Sequence, residues 1–232
     1  MGSGIAHCFA QYGYNVNLVD LSKEALALAM VKIENNLDRQ LKKEVLTVEE
    51  KTATLDRISL FTELKEAIKI ADLVVEAVAE DQAVKAKIFA QLDAHAPQDC
   101  ILATNTSSLS ITTIAAFTKR PEKVIGMHFM NPVPVMRLVE IIKGHQTSKN
   151  TVETITSLTE QIEKVPLVAA DYPGFVANRI LLPMINEAIE ALFQGVAEVE
   201  AIDEMMKLGM GHPMGPLRLA DFIGLDVCLS VL

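Results

Sequence analysis

Three short apolar runs in the middle of the chain restrict its fold more than any other feature: Cys100-Ile101-Leu102-Ala103, Val124-Ile125-Gly126-Met127 and Leu138-Val139-Glu140-Ile141-Ile142. Each has the length of a strand and polar or turn-forming flanks. The first leads into Asn105-Thr106-Ser107-Ser108 and the second into His128-Phe129-Met130-Asn131, while the third carries Glu140 within it. Ligands of open α/β sheets bind outside the carboxyl ends of the strands, so polar residues there read as site residues more readily than as core. The second and third runs flank Pro132-Val133-Pro134. If they fold back on each other about Pro134, His128 and Glu140, each six residues away, stand face to face. Directly opposed cross-strand side chains interact. A carboxylate held against an imidazole fixes its tautomer and raises its basicity, which suits a general base. The other reading is a surface histidine beside a strand glutamate, since structural ion pairs also form around histidine. On geometry alone the two stand level.

The rest of the first half alternates in the same way. Ile5, Ala6, Phe9 and Ala10 repeat at helical spacing in a helix that Gly13 stops, and residues 16–20 form a strand ending in Asp20. Ser22 caps a long helix with Ala25, Leu26, Ala29, Ile33 and Leu37 on one stripe. A short helix follows at 48–55, strands at 58–60 and 73–78 with a helix at 64–70 between them, and a helix at 82–95. Such alternation predicts an α/β protein with a Rossmann-type, doubly wound parallel sheet covered by helices on both faces. Beyond a last strand at 166–168 the pattern turns helical, at 174–193, at 199–208 and from Asp226 on. The expected domains are therefore 1–168 and an all-α domain at 169–232, and a chain of 232 residues is long enough to divide in this way. His212-Pro213-Met214-Gly215-Pro216 reads as a structural turn cluster. Met205, Met206, Met210 and Met214 read as interface or core packing.

Composition excludes several classes of function. A net charge of −9 lacks the basic footprint that nucleic-acid phosphates demand. The longest apolar runs are broken by charge, as in Leu73-Val74-Val75-Glu76-Ala77-Val78, so no membrane span is expected, and the start lacks the order of a signal peptide. Cys8, Cys100 and Cys228 lie far apart and form no Cys-x-x-Cys, which fits buried thiols in a reducing cytoplasm. His7, His95, His128, His145 and His212 include no i, i+4 pair, so no histidine-built metal site is expected.

Ser107, His128 and Glu140, followed by Asp171-Tyr172-Pro173-Gly174-Phe175-Val176-Ala177-Asn178-Arg179 and then Gly215-Pro216, resemble the 3-hydroxyacyl-CoA dehydrogenase family in order and spacing. The resemblance runs from residue 1 to residue 232 and is strongest to free-standing members acting on 3-hydroxybutyryl-CoA. It implies NAD-dependent oxidation of an (S)-3-hydroxyacyl-CoA to the 3-oxoacyl-CoA and the reverse. It further implies an acyl-CoA thioester substrate, a homodimer of the full-length chain and a cytoplasmic location. His128 would be the general base, Glu140 its orienting carboxylate, and Ser107 and Asn178 the hydrogen-bonding partners of the substrate oxygen. Gly2 would be the third glycine of a dinucleotide fingerprint, and Asp20, eighteen residues on, the acceptor for the adenosine ribose.

Glu80, Lys85, Ser107 and Asn131 correspond to positions lining the cofactor. Asn36 and Lys43, both placed on the long helix, correspond to coenzyme A contacts, with asparagine at 36 where the family has serine. Blander readings stand beside these. Asp20 suits a turn, Glu80 and Asp81 a solvated helix start, Lys42-Lys43 a solvated face, and Asn178 a polar bond along its own helix. Compared with the family, the chain looks truncated at both ends, lacking the first strand, the first two glycines and the last helices. A non-catalytic fragment or structural relative is the alternative to an enzyme.

Overall fold

The computed structural model describes residues 1–231 and converts the alternation into a definite order. It runs α1 (Gly2–Gln11), β1 (Val16–Val19), α2 (Lys23–Leu41), α3 (Val48–Asp56), β2 (Ile58–Phe61), α4 (Leu64–Ala67), β3 (Leu73–Glu76), α5 (Gln82–His95), β4 (Ile101–Thr104) and α6 (Ile111–Ala115). β5 (Val124–Phe129), β6 (Leu138–Lys143), α7 (Lys149–Gln161) and β7 (Val165–Ala170) follow, and then α8 (Ala177–Phe193), α9 (Val199–Met210), α10 (Pro216–Ile223) and α11 (Leu225–Val231). Residues 1–171 form one unit and a second begins at Tyr172.

β1 and β2 pair in parallel, while β3 to β7 form a five-stranded sheet in sequence order. Its ladders are parallel except between β5 and β6. This is the mainly parallel α/β architecture expected, divided into a two-stranded and a five-stranded sheet. One face of the larger sheet is apolar: Ile101, Ala103, Ile125, Met127, Phe129, Val139 and Ile141 pack on Ile5, Cys8 and Phe9 of α1 and Ile155 of α7. Burying each such side chain contributes about 1.5–3 kcal/mol. Strand side chains alternate between faces. The opposite face therefore carries Glu76, Thr104, Gly126, His128, Glu140 and Ile142, and it turns polar toward the ends of β3 to β5. Gly126 makes this face possible. A Cβ there would lie 2.8 Å from Ile142 Cβ and 3.0 Å from Ile111 Cδ1, so β6 and α6 could not both approach.

Three helices, α6, α7 and α10, were not anticipated. The buried stripe of α7 is Thr151, Ile155 and Thr159. Two of its three positions are hydroxylated residues, which blurs the apolar period that marks a helix. Their hydroxyls are satisfied locally, Thr159 Oγ1 donating to the Ile155 carbonyl at 2.7 Å and Thr151 Oγ1 to that of Glu122 at 2.8 Å. α6 has five residues, too few for a period, and is set by its caps: Ser110 Oγ accepts from the Thr113 amide, and the Asp171 carboxylate from the amides of Ile111 and Thr112. Two expected helices are shorter than read. α4 is a single turn, and α8 starts at Ala177 rather than 174, because Gly174 and Phe175 take φ of +74° and +50°.

In the second unit Leu182 and Ile185 of α8, Ala220 of α10 and Cys228 of α11 form a small core. Asp203 of α9 caps α10 just after Gly215-Pro216, accepting from the amides of Leu217 at 2.9 Å and Arg218 at 3.0 Å. All three cysteines are buried and free. Among the described residues no helix is long and apolar enough to cross a membrane.

Candidate active site

The β5–β6 hairpin pairs His128 with Glu140, flanked by Met127 opposite Ile141 and Phe129 opposite Val139. This is the register expected of a fold-back about Pro134. Nδ1 of His128 lies 2.7 Å from Oε2 of Glu140, and the two residues are 7% and 4% exposed. A carboxylate can only accept, so Nδ1 carries the proton and Nε2 is the basic nitrogen. The connecting turn is held from the far side of the sheet. Nζ of Lys164 donates to the carbonyls of Val133 at 2.8 Å and Met136 at 2.9 Å. Val133 is buried against the start of α1, where a Cβ on Gly4 would lie 2.9 Å from Val133 Cβ. Asn131, exposed, precedes the cis peptide to Pro132 in the same turn.

The loop after β4 is tied to its neighbours on both sides. Asn105 Oδ1 accepts from the Phe129 amide at 2.9 Å, fixing the strand end next to His128. The Glu80 carboxylate collects the amides of Ser107 at 2.8 Å and Ser108 at 3.0 Å, the Ser108 hydroxyl at 3.1 Å and the Thr106 hydroxyl. Burial alone would raise the Glu80 pKa. The Thr106 bond, the Lys85 charge and the two amides outweigh it and leave the carboxyl below its ordinary value. Lys85 is 1% exposed, and its ammonium reaches Glu76 at 2.8 and 3.0 Å and Glu80 at 3.3 Å. Glu76, at the end of β3, also accepts from Thr104 Oγ1 and the Val78 amide, both at 2.7 Å.

Gly2 opens α1, and a Cβ there would lie 3.9 Å from that of Ala77, just past β3. First-turn amides of a helix lack intrahelical acceptors and attract anions. Asp20 stands exposed directly after β1, its Oδ1 accepting from the Ser22 amide at 3.0 Å. A helix start packed on a strand end, with a carboxylate just past the strand that follows the helix, fits a dinucleotide's pyrophosphate and ribose. Asn36 is on α2, half-buried, 3.5 Å from an Arg39 nitrogen. Lys43 is exposed, but it is not on the long helix. α2 ends at Leu41 and Glu44 turns the chain with φ +56°, leaving Lys43 in the turn. Asn178 is the second residue of α8, in the second unit.

Glu76, Thr104 and Lys164 escaped the sequence reading. The signal for Glu76 was visible as a lone carboxylate inside an apolar strand, which needs a buried partner. Lys85, nine residues on, is that partner.

A mainly parallel sheet with a glycine-started helix at one strand end and a buried histidine–carboxylate pair at another defines a nucleotide-dependent dehydrogenase. Family models place it further: the NAD binding domain of 3-hydroxyacyl-CoA dehydrogenase matches residues 1–172, and the C-terminal domain of the same family matches 174–232. The chain belongs to the 3-hydroxyacyl-CoA dehydrogenase family, and its cofactor is NAD. It is 51% identical over 232 residues to the 3-hydroxybutyryl-CoA dehydrogenase of Bradyrhizobium diazoefficiens, covering all of this chain and 79% of that protein. It is 42% identical over 238 residues to the mitochondrial hydroxyacyl-coenzyme A dehydrogenase of Rattus norvegicus, covering all of this chain and 76% of the relative. Among solved structures, that of (S)-3-hydroxybutyryl-CoA dehydrogenase from Ralstonia eutropha superimposes with a TM-score of 0.97 at 49% identity, over all of this chain and 81% of that one.

Proposed function

We propose that the protein interconverts (S)-3-hydroxyacyl-CoA and 3-oxoacyl-CoA thioesters with NAD, with 3-hydroxybutyryl-CoA as the preferred substrate. The observation that carries this reading is the buried His128–Glu140 pair, with Nδ1 committed to the carboxylate at 2.7 Å. His128 takes the proton of the substrate 3-hydroxyl on Nε2. Glu140 holds the ring and stabilises the imidazolium that forms. Ser107 hydrogen-bonds the substrate oxygen as its charge changes. Asn178 shares that role on the strength of the Pro-Gly-Phe-x-x-Asn-Arg motif. Bound NAD supplies the hydride acceptor. The α1 amides at Gly2 and the Asp20 carboxylate hold it, with Glu80, Lys85, Ser107 and Asn131 on the nicotinamide side, and Asp20 disfavours a 2′-phosphate. Asn36 and Lys43 contact the coenzyme A portion. Exposed Phe193, Leu208 and Phe222 support a homodimer formed through the helical unit, and buried free cysteines support a cytoplasmic location.

The test is turnover of acetoacetyl-CoA with NADH, set against free acetoacetate and against NADPH. Turnover of the thioester with NADH at least tenfold more efficiently than either alternative is expected. Absent turnover, or equal use of the free acid, overturns the reading.

A further inference from the structure

Glu76 has no part in the chemistry above, yet it is one of the few buried charges in the sheet and the start of an unbroken line of bonds to Ser107. It is 3% exposed on the face that also carries His128 and Glu140. Both of its oxygens are used: Oε1 accepts from Lys85 Nζ and the Val78 amide, Oε2 from Lys85 Nζ and Thr104 Oγ1. Among the described residues, Glu76 and Glu80 are the carboxylates that meet the charge of the buried Lys85, and Glu76 sets where the ammonium stands. The ammonium in turn sets Glu80, whose Oε1 gathers the amides of Ser107 and Ser108 and the hydroxyl of Ser108. The Glu76 backbone carbonyl meanwhile accepts from the Asn105 amide at 2.8 Å, so the same residue also holds the start of the loop directly. A buried charge costs several kcal/mol unless paired, and a sheet that needs only packing gains more from an apolar residue at this position. Three charged groups in a row, ending on the amides of one short loop, fix that loop's conformation as apolar packing does not.

We propose that Glu76 is a positioning residue for the reaction, acting through Lys85 and Glu80 to hold the hydroxyl of Ser107 where the substrate oxygen develops charge. The inference rests on the role of Ser107 given above. A hydrogen-bond donor in such a site is effective only when it is prearranged, because reorganisation at the moment of reaction consumes its benefit. Glu76→Gln keeps the shape and one acceptor oxygen but removes the charge that fixes the ammonium. Lys85 then pairs with Glu80 alone, and the loop amides lose part of their acceptor.

The experiment is a double-mutant cycle in the full chain, comparing the parent, E76Q, S107A and E76Q/S107A with acetoacetyl-CoA and saturating NADH, with thermal unfolding of each. E76Q is expected to lower kcat at least tenfold in the parent and less than threefold in the S107A background, because the hydroxyl it positions is then gone. Equal losses in the two backgrounds, no loss in the parent, or a loss confined to KM for NADH would overturn the inference. If S107A itself leaves turnover unchanged, the reading of Ser107 fails first and this inference with it. If S107A slows turnover and the losses are additive, only the inference fails. Should E76Q not fold, Glu76→Asp tests the same carboxylate by keeping its charge and drawing its oxygens back from Lys85 Nζ and Thr104 Oγ1. It should give a smaller loss with the same dependence on Ser107, and an additive loss would count against the inference.

Discussion

Two buried carboxylates stand on the same face of the sheet and do different work. Glu140 faces an imidazole across an antiparallel ladder, and Glu76 faces an ammonium from the following helix. Burial is alike, 4% exposure for Glu140 and 3% for Glu76. The partner makes the difference. The imidazole of His128 has a second nitrogen, Nε2, that can take a proton while Nδ1 stays on Glu140, so this pair can move charge during a reaction. The single nitrogen of Lys85 is already engaged by Glu76 and Glu80, so the Glu76–Lys85 pair holds position. The comparison teaches that a buried ion pair is not by itself a catalytic sign. What decides is whether one member keeps a second nitrogen that can exchange a proton with a ligand.

The largest expected effect separates the two pairs by activity. His128→Gln should lower turnover by about a hundredfold to ten-thousandfold, the usual contribution of a general base. Its unfolding temperature should stay close to that of the parent, because a glutamine amide can still donate to Glu140. Steady-state rates and a thermal melt check both halves. A rate within a few-fold of the parent would erase the distinction between the pairs.

Lys85→Met should do the reverse and act first on stability. It leaves Glu76 buried with only the Val78 amide and the Thr104 hydroxyl as donors, and breaking a buried pair from one side typically costs about 3–5 kcal/mol. For a chain of this size that corresponds to a fall in Tm of roughly 10 °C. Adding Glu76→Leu should restore most of the lost stability, since an apolar pair of similar volume carries no desolvation cost. Melts of the single and double variants measure this. An unchanged Tm for Lys85→Met would show that water reaches the Glu76 carboxylate once its partner is gone and that the pair is not structural.

The two pairs also differ in how far the sequence exposes them. His128 and Glu140 could be matched because a tight turn between two strands leaves one register, and Pro132-Val133-Pro134 marks its centre. Parallel neighbours give no such rule. Glu76 and Lys85 are joined by a loop and a helix turn, and Thr104 enters from the next strand, so only the assembled sheet brings them together. For the same reason the residues alone left Glu80 open between a cofactor position and a solvated helix start. Its acceptors face a loop twenty-seven positions away. Every strand was legible from its apolar run. α7 was not, because threonines occupy its buried stripe. The end of α2 was misjudged by two residues because nothing in Lys42-Lys43-Glu44 signals that Glu44 adopts φ +56°.

A third variant sharpens the catalytic side. Glu140→Gln keeps a side chain of the same shape opposite His128 but removes the charge that stabilises the imidazolium. The rate should fall by about one to two orders of magnitude, less than for loss of the base itself. Fold and NADH affinity should be retained, and rates beside an NADH titration test this. A loss equal to that of His128→Gln would mean that the carboxylate is needed to hold the ring at all, not only to stabilise its charge.

The smallest effect concerns an imidazole that has burial but no carboxylate. His7 on α1 is fully buried, its Nδ1 has no hydrogen-bond partner among the described residues, and its Nε2 is 3.4 Å from a Gln40 nitrogen. Burial, opposed in part by Gln11, pushes its pKa from 6.5 down to about 4. The unfolded chain therefore binds this proton more readily than the folded one. Stability from the neutral ring is complete above about pH 6.5 and is lost as the pH falls toward about 4. Between pH 7 and pH 5 the loss should approach about 2 kcal/mol, because each pH unit below the unfolded pKa removes about 1.36 kcal/mol. In His7→Gln the unfolded chain no longer has this site to protonate, so the gap in unfolding free energy from urea titrations between pH 7 and pH 5 should narrow by that amount relative to the parent. The variant-minus-parent difference cancels every other titrating group. If the gap is the same in both proteins, His7 protonates in the folded state, and burial without a carboxylate has not kept it neutral. The contrast with His128 would then lie in access to a ligand and not in the state of the ring.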